Sequence, residues 1–510
     1  MSDRIANVLV MGGGSAGWLV ASLLAADHPD LSITLVESDE TPIIGVGEGT
    51  WPSMRDSLRR IGLVETEFVR RCQATFKQGS RFDSWMSGRP GKDGDRYFHP
   101  FVLPIGDEDL DLVQAWLQLR ADKPFADAVT PSVRLCEAGR APKQAQTPEF
   151  AAVTNYGYHF DAGQFGVVLR EHASKHLGVR HVVDHVDDVI CAPSGDITAL
   201  QTRRHGNLHA DLFIDCSGLA ARLIGQHYKI GMKSECKTLF NNAALAIQVP
   251  YLHADAPIAT CTIATAWEKG WIWDIGLQSR RGVGCVFSLE FADEDEARDA
   301  LSHYLDSSGA PSERGEARLI QFEPGYREKF WVKNCVAVGL SAGFIEPLEA
   351  SALALVEMSA QRISQELPMT RAGMDTVSKR FNDDFSYRWS RVIDFLKLHY
   401  ILSQRSDSAY WVQHRDPHTW TDRLRESLPL WKLRPPARHD FGRIDEVFPA
   451  ASYQYVLYGM GFQPEILALK PKARANAEQA LLEAERQAQR LLVGLPGHRS
   501  LINQLTHFRQ

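Results

Sequence analysis

Runs of apolar residues along the chain predict a protein that mixes strands and helices. Near the start, apolar runs over residues 5–11 and 33–36 predict buried strands, and residues 18–26 between them predict an apolar helix. Further predicted strands cover residues 179–189, 239–249, 258–266, 270–276 and 277–289, and further predicted helices cover residues 52–71, 162–177, 353–367 and 475–492. Short helices broken by loops are predicted over residues 104–150, and the chain after residue 370 is helical and rich in aromatic residues.

A glycine-rich turn joins the first strand to the first helix. It reads Gly12-Gly13-Gly14-Ser15-Ala16-Gly17, and the second strand ends at Glu37. Gly12 suits the tight turn, Gly14 lets backbone amides approach a pyrophosphate, and Gly17 allows close helix packing. Glu37 can accept from a ribose hydroxyl. The pattern therefore predicts dinucleotide binding, with a glycine turn that holds no ligand as the alternative.

Composition excludes several classes of protein. The 510 residues are 44% hydrophobic and 23% charged, with a net charge of −7, which is typical of a globular protein and disfavours nucleic acid as a partner. No apolar run reaches the roughly 18 residues of a membrane span, and no signal peptide is predicted. The eight cysteines contain no CxxC pair, which favours a reducing cytoplasm. His172 and His176 lack a third ligand, so no metal site is predicted.

Two stretches before residue 80 carry candidate chemistry. Residues 44–52 place Gly45 and Gly47 around Val46, so the backbone can pass close to a ligand. Lys77 follows the predicted helix over residues 52–71 and has aromatic neighbours. An amine near apolar walls loses its proton more easily and can act as donor or nucleophile. A solvated loop lysine is the alternative.

Aromatic residues form two groups. Tyr97-Phe98-His99-Pro100-Phe101 lies on a bend before proline and can present rings to a flat substrate. In the strand over residues 270–276, Trp271 and Trp273 fall on one face and can separate a cofactor from a substrate cavity. Loop anchoring and core packing are the respective alternatives.

A third stretch leads into the helix over residues 353–367. It reads Gly343-Phe344-Ile345-Glu346-Pro347-Leu348-Glu349-Ala350-Ser351-Ala352. Backbone amides at a helix start can bind an anion such as halide, and Glu349 can serve as a fixed base. A first-turn glutamate that interacts only with the helix dipole is the alternative.

Later strands resemble those of hydroxylase-type flavoproteins. Residues 210–218 and 334–339 are apolar strands that end in small residues, as in that class after the first dinucleotide-binding unit. The resemblance favours FAD over NAD. No second GxGxxG is present, so the resemblance implies a separate NAD(P)H flavin reductase.

Five of these places together resemble the flavin-dependent tryptophan halogenase family. They are the glycine turn, Gly45-Val46-Gly47-Glu48, Phe76-Lys77, Trp271-Ile272-Trp273-Asp274-Ile275 and Pro347-Leu348-Glu349. The tryptophan motif is the most specific of them. The chain departs from the family in having Gly276 where proline is usual and Ala352 where many tryptophan-specific members have glycine.

The resemblance assigns roles to individual residues. It implies that FAD, as FADH2, is held by Gly12, Gly14, Ser15, Ala16, Gly17, Glu37, Val46, Gly47, Glu48, Val186, Gly339 and Leu340. It implies that chloride or bromide binds the amides of Ser351 and Ala352, that His99 and Phe101 sandwich the substrate, and that Trp271 and Trp273 keep it off the flavin. Lys77 and Glu349 are the implied catalytic pair: the lysine activates hypohalous acid by a hydrogen bond or as a haloamine, and the glutamate stabilises or deprotonates the arene.

The fold that we expect is an α/β FAD-binding body of Rossmann type with a second, antiparallel sheet and a mainly helical C-terminal cap. The body covers residues 1–380, including the helical insertion over 104–150, and the cap covers residues 381–510. The substrate is an indole or another electron-rich arene, with tryptophan and carrier-bound molecules open. Tyr453, Tyr455 and Trp411 are candidates for gripping it, and a homodimer is compatible with the family.

Two rival functions use the same cofactor. An FAD-dependent aromatic monooxygenase needs the same fold but no halide, and Lys77 with the tryptophan pair argues against it. A non-catalytic flavin-binding protein predicts flavin binding without an oxygen-dependent product.

Overall fold

The computed structural model describes residues 4–40, 47–88, 95–106 and 111–507. Val46, one of the predicted cofactor residues, lies outside the described residues. In chain order the strands are β1 Asn7–Met11, β2 Ser32–Glu37, β3 Glu48–Gly49, β4 Thr75–Lys77, β5 Gly79–Asp83, β6 Arg96–Pro100, β7 Gly157–Phe160, β8 Arg180–Val183, β9 Val186–Cys191, β10 Ile197–Thr202, β11 Gly206–His209, β12 Leu212–Asp215, β13 Met232–Ser234, β14 Ala243–Pro250, β15 Thr262–Trp267, β16 Gly270–Gly276, β17 Arg280–Phe287, β18 Arg318–Gln321, β19 Gly325–Arg327, β20 Trp331–Val332, β21 Cys335–Ala337 and β22 Gly343–Phe344.

The α-helices follow the same numbering. They are α1 Ser15–Asp27, α2 Met54–Arg60, α3 Glu65–Arg71, α4 Leu112–Leu119, α5 Phe125–Val129, α6 Ser132–Glu137, α7 Ala162–His176, α8 Glu294–Ser307, α9 Ser351–Gln365, α10 Arg371–Ile401, α11 Ala409–His414, α12 Asp422–Leu433, α13 Ala450–Gly459, α14 Pro471–Gly494 and α15 His498–His507. Among the described residues, no helix combines the length and the apolar character that a membrane crossing requires.

The first of two compact units comprises Met1–Ala74, Phe160–Glu235 and Phe322–Trp389. Its main sheet has the order β20-β21-β12-β1-β2-β8, and its strands run parallel except for the β20–β21 pair. Helix α1 packs against both α7 and α9. Because neighbours cover it on several sides, α1 is apolar almost all round, and each residue from Gly17 to Ala25 is buried.

The second unit comprises Thr75–His159, Cys236–Gln321 and Ser390–Gln510. Its main sheet has the order β18-β14-β17-β16-β15-β5-β6 and is antiparallel apart from the β15–β5 pair. One face of this sheet packs on α8, where Leu301 and Leu305 meet Leu245, Val283 and Phe287 in a buried cluster. Helices α11 to α15 make up most of the C-terminal part. The expected fold class, with a second antiparallel sheet and a helical C-terminal part, is confirmed.

Two predicted elements are each divided in the structure. The helix expected over residues 52–71 is α2 and α3, because Gly62, at φ 77°, turns the chain between them. The strand expected over residues 179–189 is β8 and β9, which lie in different sheets. The chain turns between them at Asp184, whose carboxylate accepts from the backbone N–H groups of Arg204 and His205 at 2.9 Å each. The division into a body over residues 1–380 and a cap over residues 381–510 stays a prediction, which limited proteolysis would test.

Candidate functional site

The glycine turn at the start of α1 has open space at Gly14. A Cβ added at Gly12 would lie 2.2 Å from Cys216 O, and one at Gly17 would lie 1.9 Å from Gly12 O, so both positions require glycine for packing. A Cβ at Gly14 would meet nothing within 4 Å. Gly14 is the N-cap of α1, and no side chain caps this helix end. The amides there are therefore open to an anionic ligand.

Glu37 lies beside the same turn. A Cβ on Gly13 would lie 1.6 Å from Glu37 Oε2, so the carboxylate reaches the turn only because residue 13 is glycine. Its other oxygen, Oε1, lies 2.8 Å from His181 Nε2. Ser15 is the first residue of α1, and its Oγ donates to Ala162 O at 3.4 Å. The carboxylate is thus oriented next to the open amides.

Gly339 and Leu340 form a short turn against the first turn of α1. Gly339 has φ 73°, and a Cβ there would lie 2.9 Å from Ala16 Cβ, so this approach also requires glycine. Leu340 is half-buried in the turn. Val186 is buried at the start of β9, in the apolar cluster that contains Leu9, and its carbonyl accepts from Arg222 Nη2 at 2.9 Å.

Glu48 combines a carboxylate with a poorly hydrated setting. It opens β3, directly after Gly47, whose φ of 150° is accessible to glycine but disfavoured for other residues. Burial raises the pKa of Glu48 to about 7. The group therefore changes charge near neutral pH.

Glu349 is buried in a left-handed turn that leads into α9. Glu349 has φ 65° and Ala350 has φ 55°, a conformation that costs non-glycine residues roughly 1–2 kcal/mol each. The carbonyl of Glu349 accepts from Trp51 Nε1 at 2.8 Å, which helps to hold this backbone. Strain of this kind is common at functional sites.

The N-terminus of α9 is suited to an anion. Its N-cap, Ala350, has no side chain that can cap the helix, and its first turn contains no acidic residue. Ser351 is buried and Ala352 is exposed. The partial positive charge of the helix start is thus left to an external anion.

Glu357 is a buried carboxyl of α9 that we did not identify from the sequence. Ser57 Oγ donates to its Oε1 at 2.5 Å and Ser53 Oγ to its Oε2 at 3.1 Å. Burial raises its pKa to about 8, against the opposing effect of the two hydroxyl groups. The bonds tie α9 to α2, and no local sequence pattern indicates them.

In the second unit, Lys77 is fully buried at the end of β4. Its Nζ lies 5.3 Å from the centre of the half-buried Phe101 ring. His159, across from Thr75 on the paired strand β7, is also buried, and burial together with the nearby Lys77 charge holds its pKa well below the usual range. The full burial of Lys77 contradicts the solvated alternative, and the amine lies beside one aromatic ring.

His99 and Phe101 differ in exposure. His99 is buried on β6, its Nε2 lies 2.9 Å from Ser452 Oγ, and its ring packs against Phe395 at 5.4 Å. Phe101 is half-buried, and its N–H donates to Gln78 O at 3.0 Å. Phe101 is thus partly exposed beside the lysine, whereas His99 is engaged with the protein.

The two indoles of β16 lie on one face of the strand, as predicted. The ring centres of Trp271 and Trp273 are 6.3 Å apart; Trp271 is buried and Trp273 half-buried. Trp273 lies over Gly284 of the neighbouring strand, where an added Cβ would be 2.1 Å from the indole. Gly284 was not identified from the sequence.

Gly276, at the end of β16, links the tryptophan strand to the lysine strand. Its carbonyl accepts from Thr75 Oγ1 at 2.6 Å. The predicted gripping residues use their polar atoms within the protein: Trp411 Nε1 donates to Trp267 O at 3.0 Å and Tyr455 OH to Val102 O at 2.8 Å. Tyr453 is fully buried. Within the described ranges, no group of three or more metal-ligating side chains is present.

An open glycine turn beside an acidic residue, on a mainly parallel sheet, is the phosphate- and ribose-binding arrangement of dinucleotide enzymes. The class that the fold and site define is therefore that of dinucleotide-binding proteins. The family model for tryptophan halogenases matches residues 7–477, and the chain belongs to this family. It is a flavin-dependent halogenase that needs a separate flavin reductase.

Individual relatives match over nearly the full chain. The tryptophan halogenase of Shewanella frigidimarina NCIMB 400 is 43% identical, with a TM-score of 0.96 over 99% of this chain and 98% of its own. BrvH, a flavin-dependent halogenase from Brevundimonas sp. BAL3, is 32% identical, with a TM-score of 0.86 over 99% of this chain and 100% of its own. Tryptophan 6-halogenase SttH of Streptomyces toxytricini is 32% identical over 94% of this chain and 93% of its own.

Proposed function

We propose that the protein halogenates an indole or another electron-rich arene, with Lys77 and Glu349 as its catalytic residues. Free tryptophan is within this class of substrate, because the relatives named above include tryptophan halogenases. The observation that carries the proposal is the buried Lys77 amine beside the half-buried Phe101 ring. A buried amine next to a ring that can contact a flat substrate is suited to halogen transfer at that place.

The residues present fit FAD. The open space at Gly14, the uncapped start of α1 and the oriented Glu37 carboxylate suit a pyrophosphate and a ribose. Gly339 and Leu340 would contact FAD from their turn, and Gly47 and Glu48 would contact it from the start of β3. When bound and reduced, FAD supplies with oxygen the oxidant that converts halide to hypohalous acid.

Residues of the chain then carry out an aromatic substitution, in which a halogen replaces a hydrogen of the arene. The amides of Ser351 and Ala352 hold chloride or bromide at the start of α9. Trp271 and Trp273 exclude the organic substrate from the flavin, so that oxygen is not transferred to it. Hypohalous acid and the arene give the aryl halide and water.

Lys77 and Glu349 handle the protons of this substitution. The Lys77 ammonium donates a proton to the departing hydroxide as the carbon–halogen bond forms; a Lys77 haloamine is the alternative form of the same transfer. The Glu349 carboxylate stabilises the cationic arene and accepts the proton that the carbon loses. Proton exchange with solvent then restores the ammonium and the carboxylate.

Mass spectrometry tests the proposal. The reaction contains the protein, FAD, a flavin reductase, NADH and oxygen with indole, tryptophan and other arenes, first in bromide and then in chloride. We expect a halogenated product that falls by orders of magnitude in Lys77→Ala and Glu349→Gln, while flavin oxidation continues. Lys143→Ala is the matched control, because Lys143 is also buried beside an aromatic ring, that of Tyr156.

Each rival predicts a different outcome. Parental halogenation by folded Lys77→Ala would refute the role of the lysine. A hydroxylated product would favour the aromatic monooxygenase, and flavin binding without product across the arenes would favour the non-catalytic protein. The proposal also includes a cytoplasmic location, since all eight cysteines are free, and a homodimer, which light scattering tests.

A further inference from the structure

A histidine far along the chain accepts a hydrogen bond from the outer edge of the strand that carries Lys77. Strand β4 lies at the edge of its sheet and pairs on its inner side with β7. On the outer side, the Phe76 N–H donates to His498 Nε2 at 3.0 Å. His498 begins α15 and lies beyond residue 477, where the family model's match ends. A buried edge N–H thus finds its acceptor in the C-terminal helix.

His498 can accept this bond in only one state. Its Nδ1 lies 3.2 Å from Ile258 O, so Nδ1 carries the hydrogen and Nε2 is free to accept from Phe76. His498 is 2% exposed. Burial lowers its pKa to about 4, so the neutral imidazole is the form present near neutral pH.

Gln78, which follows Lys77, is also linked through hydrogen bonds to the segment around His498. Gln78 Nε2 donates to Arg140 O at 2.8 Å. The N–H of Ala141, which follows Arg140 in the chain, donates to Pro496 O at 2.9 Å. The segment 495–499, which we call the C-terminal clamp, is thereby connected to both sequence neighbours of Lys77.

We infer that His498 is a positioning residue for Lys77, and that the C-terminal clamp fixes the backbone from which the catalytic amine projects. This inference rests on the proposed function of Lys77. It assigns the last helix a part in the halogen-transfer step, because a displacement of about 1 Å in a reacting group can lower the rate about 100-fold. Formation of hypohalous acid does not use the Lys77 strand and should be independent of the clamp.

Two substitutions separate this role from general stability. His498→Leu introduces an apolar side chain of moderate size and removes the acceptor, whereas His498→Gln keeps a side-chain acceptor. We expect the arene-halogenation kcat of His498→Leu to fall about 10- to 100-fold, with the KM for the arene and the release of hypohalous acid, followed with a halogen-trapping dye, unchanged. His498→Gln should recover most of the rate. His253→Leu, at an exposed position, is the control.

A folded His498→Leu protein with the parental kcat would overturn the inference, and so would a folded His498→Gln protein as slow as His498→Leu. If the leucine variant does not fold, hydrogen exchange on the parental protein decides. The Phe76 amide should then exchange as slowly as amides inside the sheet, and exchange at the rate of an exposed edge would overturn the inference. Lys77→Ala, assayed in parallel, separates the two proposals: parental turnover there would refute the role of the lysine, whatever the His498 variants show.

Discussion

Replacing Glu357 by glutamine should make the stability of the folded protein less sensitive to pH. Glu357 is buried on α9, and its pKa is raised by burial to about 8 from its ordinary 4.5. The folded state therefore holds this proton more tightly than the unfolded chain. The resulting stability is fully present below the unfolded pKa and is lost as pH rises through the folded pKa. Glutamine mimics the protonated acid in size and in neutrality.

The size of the effect follows from proton linkage. One pKa unit corresponds to about 1.4 kcal/mol. Integrated between about pH 6 and about pH 8, a shift from 4.5 to about 8 removes about 2 kcal/mol of folding free energy from the parental protein. The variant lacks this loss. Contributions of other titrating groups, among them Glu48, are common to both proteins and cancel in the difference.

Urea unfolding of both proteins at several pH values measures the difference. We expect the unfolding free energy of Glu357→Gln, relative to the parental protein, to rise by about 2 kcal/mol from about pH 6 to about pH 8. Glu426→Gln, at an exposed position of α12, is the control and should leave the curve unchanged. Parallel pH curves for the Glu357 variant and the parental protein would refute the reasoning, because they would mean that Glu357 is ionised in the folded state across this range.

Two glycines give further predictions. Gly284→Ala forces a methyl group against the Trp273 indole and the Leu245 carbonyl, and urea unfolding should show a loss of about 1–3 kcal/mol. An unchanged midpoint would mean that both the indole and the neighbouring strand adjust without cost. Gly14→Ala places its methyl group in open space, so the apoprotein should keep its melting temperature while FAD affinity, measured by fluorescence quenching, falls at least tenfold. Unchanged FAD affinity would contradict the assignment of this space to the pyrophosphate.

Local patterns were sufficient for the elements whose contacts are close in sequence. The glycine turn, the helix over residues 162–177 and the strand over residues 270–276 could be predicted because periodicity and turn chemistry act over a few residues. The structure has them as the turn before α1, as α7 with Asp161 accepting from Gln164 N–H at 3.0 Å, and as β16. The role of Asp184 depends on Arg204 and His205, which no window around residue 184 contains.

The setting of the candidate site could be predicted only in part. The family resemblance pointed to Lys77, but its burial depends on distant segments such as that of Phe101. His498 and Glu357 carry no motif; His498 accepts from Phe76, 422 positions away, and Glu357 accepts from Ser57, 300 positions away. Side chains that act through one or two hydrogen bonds to distant residues leave no periodic signal in the sequence.

The bond between Phe76 and His498 has a consequence for synthesis of the protein. The two residues are 422 positions apart. At roughly 5–20 residues per second, a ribosome needs on the order of 20–80 s to make the chain between them. During this time the outer edge of the lysine strand lacks the acceptor that His498 provides. A chain terminated before residue 498 would contain Lys77 but would lack the acceptor for the Phe76 N–H.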